Sequence, residues 1–400
     1  MSIKPATEEQ IALFQNVMMN AWGGEEKVNN LMQASKDYKR AFLAGVRGRY
    51  EGELQLITPW VERLVPDIAE RRLFEIGCGQ GSGTAAFATI CRSVSGFDID
   101  SGSVQMAQER LRLFGVTGST ATAATFPEIL HRLDTEEVVD GVLLFAVLEH
   151  MYPLERVEVL RRAWRKLSPG GIVVVGETPN RLCYFDTHTY HQPFVNILPP
   201  ELAKLWGSKC VNDATRALID AVPIDDYLLL REKFVRMGHC GPSFHEFEIA
   251  MGEDVHNCVI SNEFDTEIND MNKAYRVEHD ILQQYLSKRA PHVSSVFAMP
   301  LLYFILRKPG NFRPDTHVSV DSQGSDQPEG VVQSTSLDTT AEQRKKIVET
   351  LYARVFNRAP AKKELDYWVS RCHGFSSMSR IIDEFFESDE YKMRSRENPA

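Results

Sequence analysis

A glycine-rich run followed by an acid is the pattern whose residue types and spacing suggest ligand binding. The run EIGCGQGSG starts at Glu75, after the apolar segment LFEI and before the helix-like TAAFATI. Glycines at such a turn let the backbone approach a ligand, and a helix start offers unpaired N–H groups. A second apolar segment ends at Asp98, whose carboxylate can accept hydrogen bonds from both hydroxyls of a ribose. This order predicts a nucleotide-type ligand rather than a loop that merely packs tightly.

Glu75 distinguishes between the nucleotides that such a loop could bind. The dinucleotide fingerprint G-x-G-x-x-G would place its third glycine on Ser82, whereas E-x-G-x-G-x-G fits Glu75, Gly77, Gly79 and Gly81. A carboxylate before the loop repels a pyrophosphate but can bind the ammonium group of a methionine moiety. We therefore predict S-adenosylmethionine, and not NAD, as the cofactor.

Four motifs between residues 71 and 308 extend this pattern: EIGCGQGSG, GFDIDSGSVQMA, FAVLEHMYP and LRRAWRKLSPGGIVVVGETPN. In this order they resemble the class I, Rossmann-like S-adenosylmethionine-dependent methyltransferases, including the ubiquinone-pathway O-methyltransferases. The resemblance implies that Glu75 faces the amino group of the cofactor and that Asp98 holds its ribose. The cofactor-binding positions that it implies are Glu75, Gly77, Cys78, Gly79, Gly81, Asp98, Ile99, Ala123, Leu148 and Glu149. Where many relatives carry Gly-Asp-Ala, this chain has ATAATFP, so the adenine contact would fall at Thr122 or Ala123 and lacks the aspartate that many relatives supply.

His150 follows the apolar segment GVLLFAV and is a candidate general base. Methyl transfer to a hydroxyl is an in-line displacement that also requires the loss of a proton, and imidazole can take a proton near neutral pH. Ligands of open α/β sheets bind beyond the carboxyl ends of the strands, where Leu148, Glu149 and His150 are expected. The alternative, which we favour, is that this triplet shapes the loop against the cofactor and that Glu149 orients it.

A segment dense in His, Tyr, Phe and Pro, residues 180–245, is predicted to form an insertion on the acceptor side. In it, Asp186, His188 and His191 could orient or deprotonate a polyhydroxylated acceptor. Three rings could stack on a sugar or an aromatic acceptor: Tyr184, Tyr190 and Phe194. A packed lid is an equally good interpretation. The acid and the two histidines have no fixed geometry in an irregular loop, so we predict no metal site.

The elements that must position these groups form three parts and a linker. Residues 1–70 place apolar side chains at helical spacing and predict a helical N-terminal lead-in. Residues 71–308 alternate short apolar runs with helix-like segments, which predicts an α/β domain with a parallel sheet and helices on both faces. Residues 309–338 have the composition of a flexible linker, and residues 339–400 predict a separate C-terminal domain of about three helices.

The C-terminal segment from about residue 341 to residue 394 resembles a small helical domain of unknown function that is attached to many bacterial surface, secreted and glycan-assembly proteins. The positions that carry this resemblance are Leu351, Tyr352, Val355, Phe356, Arg358, Pro360, Tyr367, Trp368, Phe386, Ser388, Glu390 and Tyr391. Aromatic residues at helical spacing more often form a core than a binding site. The resemblance implies docking to a protein or glycan.

Composition excludes several classes of protein. With 55 acidic and 45 basic residues the formal charge is -10, which argues against a nucleic-acid partner. The local basic cluster is interpreted as a solvated helix face; it consists of Arg161, Arg162, Arg165 and Lys166. Seven scattered cysteines indicate reduced thiols and a cytoplasmic location. The acidic N-terminus predicts no export signal. The runs GVLLFAVL and FAMPLLYFIL are shorter than the ~20 residues of a membrane span and are predicted to be buried strands.

These patterns together predict a cytoplasmic bacterial enzyme that transfers a methyl group from S-adenosylmethionine to an oxygen of a small molecule or saccharide, in glycan biosynthesis or secondary metabolism. One alternative is an aromatic or quinone-type O-methyltransferase. The other is a non-catalytic scaffold protein that binds the cofactor and recruits partners through its tail.

Overall fold

The computed structural model describes residues 4–311, except 137, 211, 212 and 225, and in the C-terminal part residues 345, 348, 349, 352 and 358–371. The chain divides into two compact units, residues 1–319 and residues 320–400. Almost all of the predicted linker, and most of the predicted C-terminal helices, lie outside the described residues.

A six-stranded sheet forms the centre of the first unit. Its strands are β1 (Arg72–Ile76), β2 (Ser93–Asp98), β3 (Thr120–Ala123), β4 (Gly141–Phe145), β5 (Ile172–Pro179) and β6 (Leu301–Arg307). Their order across the sheet is β3-β2-β1-β4-β5-β6. The α/β class with a Rossmann-like order is therefore confirmed.

The last strand corrects the prediction of an entirely parallel sheet. Strands β1 to β5 pair in parallel, but β6 runs antiparallel to β5, and Pro179 at the end of β5 is paired with Leu301 at the start of β6. The long insertion after β5 returns the chain at the edge where β5 ends. A strand that enters the sheet there can only run back along its neighbour, whereas parallel pairing needs a crossover to the opposite edge.

Helices cover both faces of the sheet. They are α1 (Glu8–Ala21), α2 (Glu25–Ala34), α3 (Lys36–Leu43), α4 (Arg49–Gly52), α5 (Thr58–Leu64), α6 (Ser82–Phe87), α7 (Ser101–Leu113), α8 (Phe126–Thr135), α9 (Pro153–Lys166), α10 (Pro200–Leu205), α11 (Asp213–Ala221), α12 (Tyr227–Arg236), α13 (Phe244–Met251), α14 (Thr266–Asn269) and α15 (Arg276–Arg289). Among the described helices, none is both long and apolar enough to cross a membrane.

The helical lead-in is confirmed and packs beside the first strands. Helix α1 starts with a capping box between Thr7 and Gln10 and buries Phe14 and Met18 against α7. Helices α3, α4 and α5 follow one another without a break, joined by π-helical turns at Ala44–Gly48 and Glu53–Ile57. Such turns are rare and frequently occur at functional sites, because they redirect the side chains that follow.

The apolar runs of the sequence behave differently in the sheet. Every residue of β4 is buried, as expected for a strand covered on both faces. The run from Phe297 is not one strand, since Ser295–Ala298 form a 3-10 turn and only Leu301–Arg307 join the sheet. Pro300 separates the two parts, because proline has no N–H to donate to a ladder.

The described part of the C-terminal unit contains helix α16 (Lys362–Arg371). Trp368 is buried and donates its indole N–H to the hydroxyl of Tyr352 over 3.2 Å, while Arg358 pairs with Glu364 at 2.8 Å. These contacts agree with the interpretation that the aromatic residues at helical spacing build a core.

Candidate functional site

The glycine-rich loop between β1 and α6 has a backbone that requires glycine. Gly77, Gly79 and Gly81 have φ angles of 78°, 49° and 76°, a left-handed region that other residues rarely adopt. A Cβ atom at Gly77 would lie 2.4 Å from the side chain of Val147, so the loop also approaches the chain after β4 closely. The Gly79 N–H donates to the Asp98 carboxylate over 2.8 Å. The loop and the acid at the end of β2 therefore form one site.

Three strand ends bring the predicted cofactor residues to one edge of the sheet. Asp98 ends β2, and its register partner in β3 is Ala123. The other oxygen of Asp98 accepts from the N–H of Asp100 over 2.9 Å. Ile99 is 61% exposed next to it, and Cys78 is buried beneath the loop.

Glu75 lies below the loop and not at its surface. Its side chain is 3% exposed, and the hydroxyl of Thr84 donates to one carboxylate oxygen over 2.5 Å. The other oxygen occupies the space where a Cβ atom of Gly83 would stand, 2.4 Å away. Burial raises the pKa of Glu75 to about 7.

A second constellation starts at a 3-10 turn, Leu148–His150, directly after β4. Leu148 and Glu149 are completely buried, and neither carboxylate oxygen of Glu149 accepts a hydrogen bond from another described residue. That carboxylate lies 3.8 Å from Nε2 of His150 and 4.0 Å from Nε2 of His188. Burial raises the pKa of Glu149 to about 8.

The two imidazole rings beside Glu149 are held through their Nδ1 atoms. Nδ1 of His150 is 2.8 Å from the carbonyl oxygen of Arg236, which can only accept, so Nδ1 carries the proton. Nδ1 of His188 is 3.2 Å from the hydroxyl of Thr189, which itself donates to the carbonyl of Met237. Burial lowers the pKa of both imidazoles, that of His188 to about 4. Both rings are thus neutral, with an Nε2 lone pair on the side of Glu149.

The remaining residues that were predicted in the insertion have other positions. Asp186 is 1% exposed and accepts hydrogen bonds from the backbone N–H groups of His188, Thr189 and Tyr190, so it closes a turn and cannot face an acceptor. Tyr190 is fully buried and donates its hydroxyl to a main-chain oxygen, so its stacking role is wrong. His191 has a left-handed φ of 52° and lies outside the group of Glu149, His150 and His188.

An ion pair that the sequence analysis missed lies over the same edge of the sheet. Glu177 has a φ of 53° where the register of β5 with β6 shifts, and it accepts a hydrogen bond from Arg49 of α4 over 2.8 Å. A bulge re-aims a side chain, and strained backbone of this kind clusters at functional sites. The position of Glu177 at the end of a strand was a signal in the sequence. Arg49 carried none.

Glu53 is the second missed residue. It belongs to the π-helical turn Glu53–Ile57 and is 6% exposed, and one of its carboxylate oxygens accepts no hydrogen bond within the described part of the chain. Burial, with smaller contributions from the carboxylates of Glu177 and Glu75, raises its pKa well above the usual range. The lead-in helices therefore bring charged groups to the strand ends.

Comparison with known proteins identifies the part of the chain that carries the glycine-rich loop, Asp98 and Glu149. Residues 74–175, from β1 to β5, match the family model described as "Methyltransferase domain". The first curated relatives that the chain matches are S-adenosylmethionine-dependent methyltransferases. Residues 74–175 are therefore similar to the methyltransferase domain of known S-adenosylmethionine-dependent methyltransferases.

Two mycobacterial proteins are similar to the methyltransferase domain. A "Probable S-adenosylmethionine-dependent methyltransferase" of Mycolicibacterium smegmatis is 29% identical over 123 residues, which is 31% of this chain and 44% of that protein. A protein of the same description from Mycobacterium tuberculosis is 28% identical over 123 residues, 31% of this chain and 41% of that protein. The chain thus spans less than half the length of these curated relatives.

Solved structures similar to the methyltransferase domain include CalS10, an amino pentose methyltransferase from Micromonospora echinaspora. Its identity is 24% over 34% of this chain and 55% of that chain, and the TM-score is 0.28. The N-methyltransferase NodS from Bradyrhizobium japonicum has 20% identity over 34% of this chain and 63% of that chain, and a TM-score of 0.27. Residues 329–395 match the family "Domain of unknown function (DUF4214)".

An open cleft with a volume of about 930 Å³ is built largely from the insertion. Tyr184 and Phe194, two of the rings predicted to stack on an acceptor, lie on its wall with their centroids 6.0 Å apart. Arg156 also lines the cleft and donates to the main-chain oxygens of Leu148 and Glu149. The cleft therefore adjoins the segment that carries Glu149.

Proposed function

We propose that this protein transfers a methyl group from S-adenosylmethionine to an oxygen of a small molecule or saccharide. The observation that carries the proposal is that the glycine loop with Asp98 and the cluster of Glu149, His150 and His188 follow neighbouring strands of one sheet. In open α/β sheets ligands bind beyond the carboxyl ends of the strands, at the point where the strand order reverses. Here that point lies between β1 and β4, so donor and acceptor would meet there.

The cofactor would be held mainly by the first three strand ends. Asp98 would accept hydrogen bonds from the ribose hydroxyls, and Glu75 would attract the ammonium group of the methionine moiety. The loop backbone at Gly77, Gly79 and Gly81 leaves room for the ligand because no side chain projects from it. Ile99 and Ala123 would flank the adenine, with Cys78, Leu148 and Glu149 beneath the methionine and the sulfonium.

The acceptor would place a hydroxyl at Glu149, His150 and His188 and its body in the adjoining cleft. Methyl transfer needs an aligned oxygen that loses its proton, and these buried groups have the free lone pairs for both tasks. His191, outside the cluster, is left without an assigned role in the chemistry. The walls contributed by Tyr184 and Phe194 suit a sugar ring or an aromatic ring, so an aromatic or quinone-type acceptor is the second candidate.

The setting proposed for this reaction is the cytoplasm of a bacterium, in glycan biosynthesis or secondary metabolism. The six cysteines that the structure describes are free thiols, which supports a reducing compartment. The excess of acidic residues in the whole chain supports an acceptor other than nucleic acid. We assign docking to a protein or glycan to the C-terminal unit.

The test is a calorimetric titration of the full chain with S-adenosylhomocysteine, with NAD as a control. Asp98→Ala is expected to weaken binding of S-adenosylhomocysteine by about 1 to 3 kcal/mol, roughly 5- to 150-fold, because the ribose hydroxyls lose a half-buried charged acceptor. Asp100→Ala, two residues away at the start of α7, is the matched control and should leave the affinity unchanged. If wild type binds only NAD, the cofactor assignment is wrong, and if it binds neither, the scaffold alternative replaces the enzyme.

A screen of acceptors separates the two acceptor classes. Sugars and phenols are incubated with the chain and S-adenosylmethionine, and methylated products are identified by mass spectrometry. A methylated sugar supports the leading proposal and a methylated phenol supports the second candidate. Turnover of a purely aliphatic amine would contradict both.

Cofactor affinity is expected to rise with pH through about 7, because Glu75 has a raised pKa. Below that pH the carboxyl is protonated and attracts the ammonium of the ligand weakly, whereas above it the carboxylate is ionised. Affinity for S-adenosylhomocysteine should therefore increase about tenfold between pH 6 and pH 8. Glu75→Gln should bind weakly at both pH values. An equal slope in this variant would assign the pH dependence to another group.

A further inference from the structure

Two groups of an acid and two histidines lie within the described residues, and they differ in how the acid is satisfied. In the first, the donor atoms of Glu149, His150 and His188 lie within 4.8 Å of one another. In the second, one oxygen of Glu248 already makes contacts of 2.9 Å and 3.1 Å with two imidazoles, those of His256 and His292. The second group is a hydrogen-bonded network. Glu149 has no such partner although it is completely buried, and a buried carboxylate without one is costly.

We infer that Glu149, His150 and His188 bind a first-row divalent metal ion of the zinc type, which in turn binds the acceptor hydroxyl. The inference rests on the proposed methyl transfer and names how the acceptor is held. Two imidazoles and one carboxylate are a ligand set that such ions take in sites with an open position for water or substrate. An ion between the three groups would bind the Glu149 carboxylate, which accepts no hydrogen bond from the described residues.

The orientation of the two rings supports this ligand set. Each imidazole is anchored through Nδ1, His150 by the carbonyl of Arg236 and His188 by the hydroxyl of Thr189. In metal sites the ligating histidine commonly uses its other ring nitrogen in this way, which fixes the tautomer and aims the free lone pair. Both free Nε2 atoms here lie on the side of Glu149.

The distances are close to those of a bound site. With metal–ligand bonds of about 2.0 to 2.1 Å, tetrahedral ligands lie about 3.3 Å apart. The carboxylate of Glu149 is 3.8 Å and 4.0 Å from the two Nε2 atoms, so shifts of well under 1 Å at each side chain would close the set.

The backbone at Gly238 packs closely against two members of the group. Gly238 has a φ of 77°, and a Cβ atom there would lie 2.7 Å from the ring of His188 and 3.1 Å from Glu149. The residues at and just after the end of α12 thus pack against Glu149 and His188, and the carbonyl of Arg236 in this helix anchors His150. A rigid, crowded shell of this kind is what holds metal ligands in place.

Nearby charge also favours a cation. The carboxylate of Glu177 lies close enough to Glu149 to repel it, and Arg49, which pairs with Glu177, and Arg156 act against this repulsion. A divalent ion would offset this excess of buried negative charge. It would also stabilise the alkoxide form of a bound hydroxyl. In the transfer, the S–CH₃ bond of the sulfonium breaks as the O–CH₃ bond forms, and the hydroxyl proton is released to water.

The experiment measures metal binding directly on the full chain. Protein stripped with a chelator and dialysed is titrated with Zn²⁺ alone by calorimetry, and metal content is then determined by plasma mass spectrometry. One ion per chain is expected at the site. Glu149→Gln and His188→Asn should each weaken this binding by roughly 100-fold or more. His292→Gln, in the hydrogen-bonded group, is the matched control and should bind Zn²⁺ like wild type.

A spectroscopic readout separates loss of a ligand from loss of folding. Co²⁺ bound in place of zinc should give visible absorption bands in wild type and in His292→Gln but not in His188→Asn. Circular dichroism of His188→Asn should match wild type, since the side chain of His188 is partly exposed. Affinity for S-adenosylhomocysteine should stay within about twofold in this variant.

The outcomes distinguish this inference from the proposed function. If the chain binds S-adenosylhomocysteine but no stoichiometric ion, the metal site is wrong and the methyltransferase proposal stands. If zinc binds equally to wild type and to both ligand variants, the ion occupies another site and the inference is also wrong. If zinc binds as expected but S-adenosylhomocysteine does not bind, the site remains and the proposed function fails.

Discussion

Arg156→Met is expected to lower the free energy of unfolding by about 3 to 5 kcal/mol, the range for removing one partner of a buried ion pair. Arg156 is 1% exposed in α9, and its guanidinium donates to the main-chain oxygens of Leu148 and Gly241 over 2.7 Å and 2.9 Å. It also pairs with Glu246 at 3.3 Å. Methionine fills a similar volume but donates nothing, so these acceptors would stay buried without partners.

The measurement for Arg156 is urea-induced unfolding followed by circular dichroism. Arg165→Met on the same helix is the matched control, because Arg165 is exposed and its replacement should change stability by less than about 0.5 kcal/mol. Loosening of Leu148 and Glu149 should in addition weaken zinc binding in the folded variant. Equal stability of the two variants would show that the main-chain contacts of Arg156 contribute nothing net.

Arg110→Met is expected to cost about 3 kcal/mol of unfolding free energy, since three buried carbonyl groups lose their donor. Arg110 is fully buried in α7 and donates to the carbonyls of Gly45, Val46 and Gln80. It also stacks over the ring of Phe14, 4.0 Å from its centroid. Burial lowers the pKa of its guanidinium to about 10. One side chain thus joins the lead-in helices to the cofactor loop.

The measurement for Arg110 has a local and a global part. Limited proteolysis should cut the lead-in before residue 58 faster in the variant, and affinity for S-adenosylhomocysteine should fall because Gln80 belongs to the loop. Arg112→Met is the control, since the side chain of Arg112 is 65% exposed and pairs with Glu109 at the surface. Unchanged cleavage together with weaker cofactor binding would mean that Arg110 supports the loop alone.

The buried arginines show one limit of prediction from the sequence. Arg156 and its neighbours on α9 were interpreted only through the cluster from Arg161 to Lys166, a solvated face. The spacing of apolar residues identifies which face of a helix is buried, but it does not show which segments that face packs against. It therefore gives no sign that an arginine on the helix is buried. Main-chain carbonyls from two other segments, at Leu148 and at Cys240 and Gly241, make the burial of Arg156 favourable, and the second segment is more than eighty residues away in the chain.

The insertion shows a second limit. Its residue types correctly indicated polar and aromatic groups near an acceptor, but the roles of individual residues depended on the path of the loop. Asp186 and Tyr190 turned inward because a buried turn needs acceptors for its N–H groups and a core needs filling. His188 turned towards Glu149, a partner almost forty residues earlier.

The sequence by itself determined the cofactor side of this protein. The glycines, Glu75 and Asp98 lie within one βαβ unit, where strand, turn and helix are specified by local spacing and by backbone angles that only glycine adopts easily. Only the tertiary structure decided the acceptor side. Strand order, the antiparallel return of β6 and the packing of α4 and α12 bring Arg49, Glu149, Glu177 and His188 together, and contacts between such distant segments depend on how the whole sheet is closed and covered.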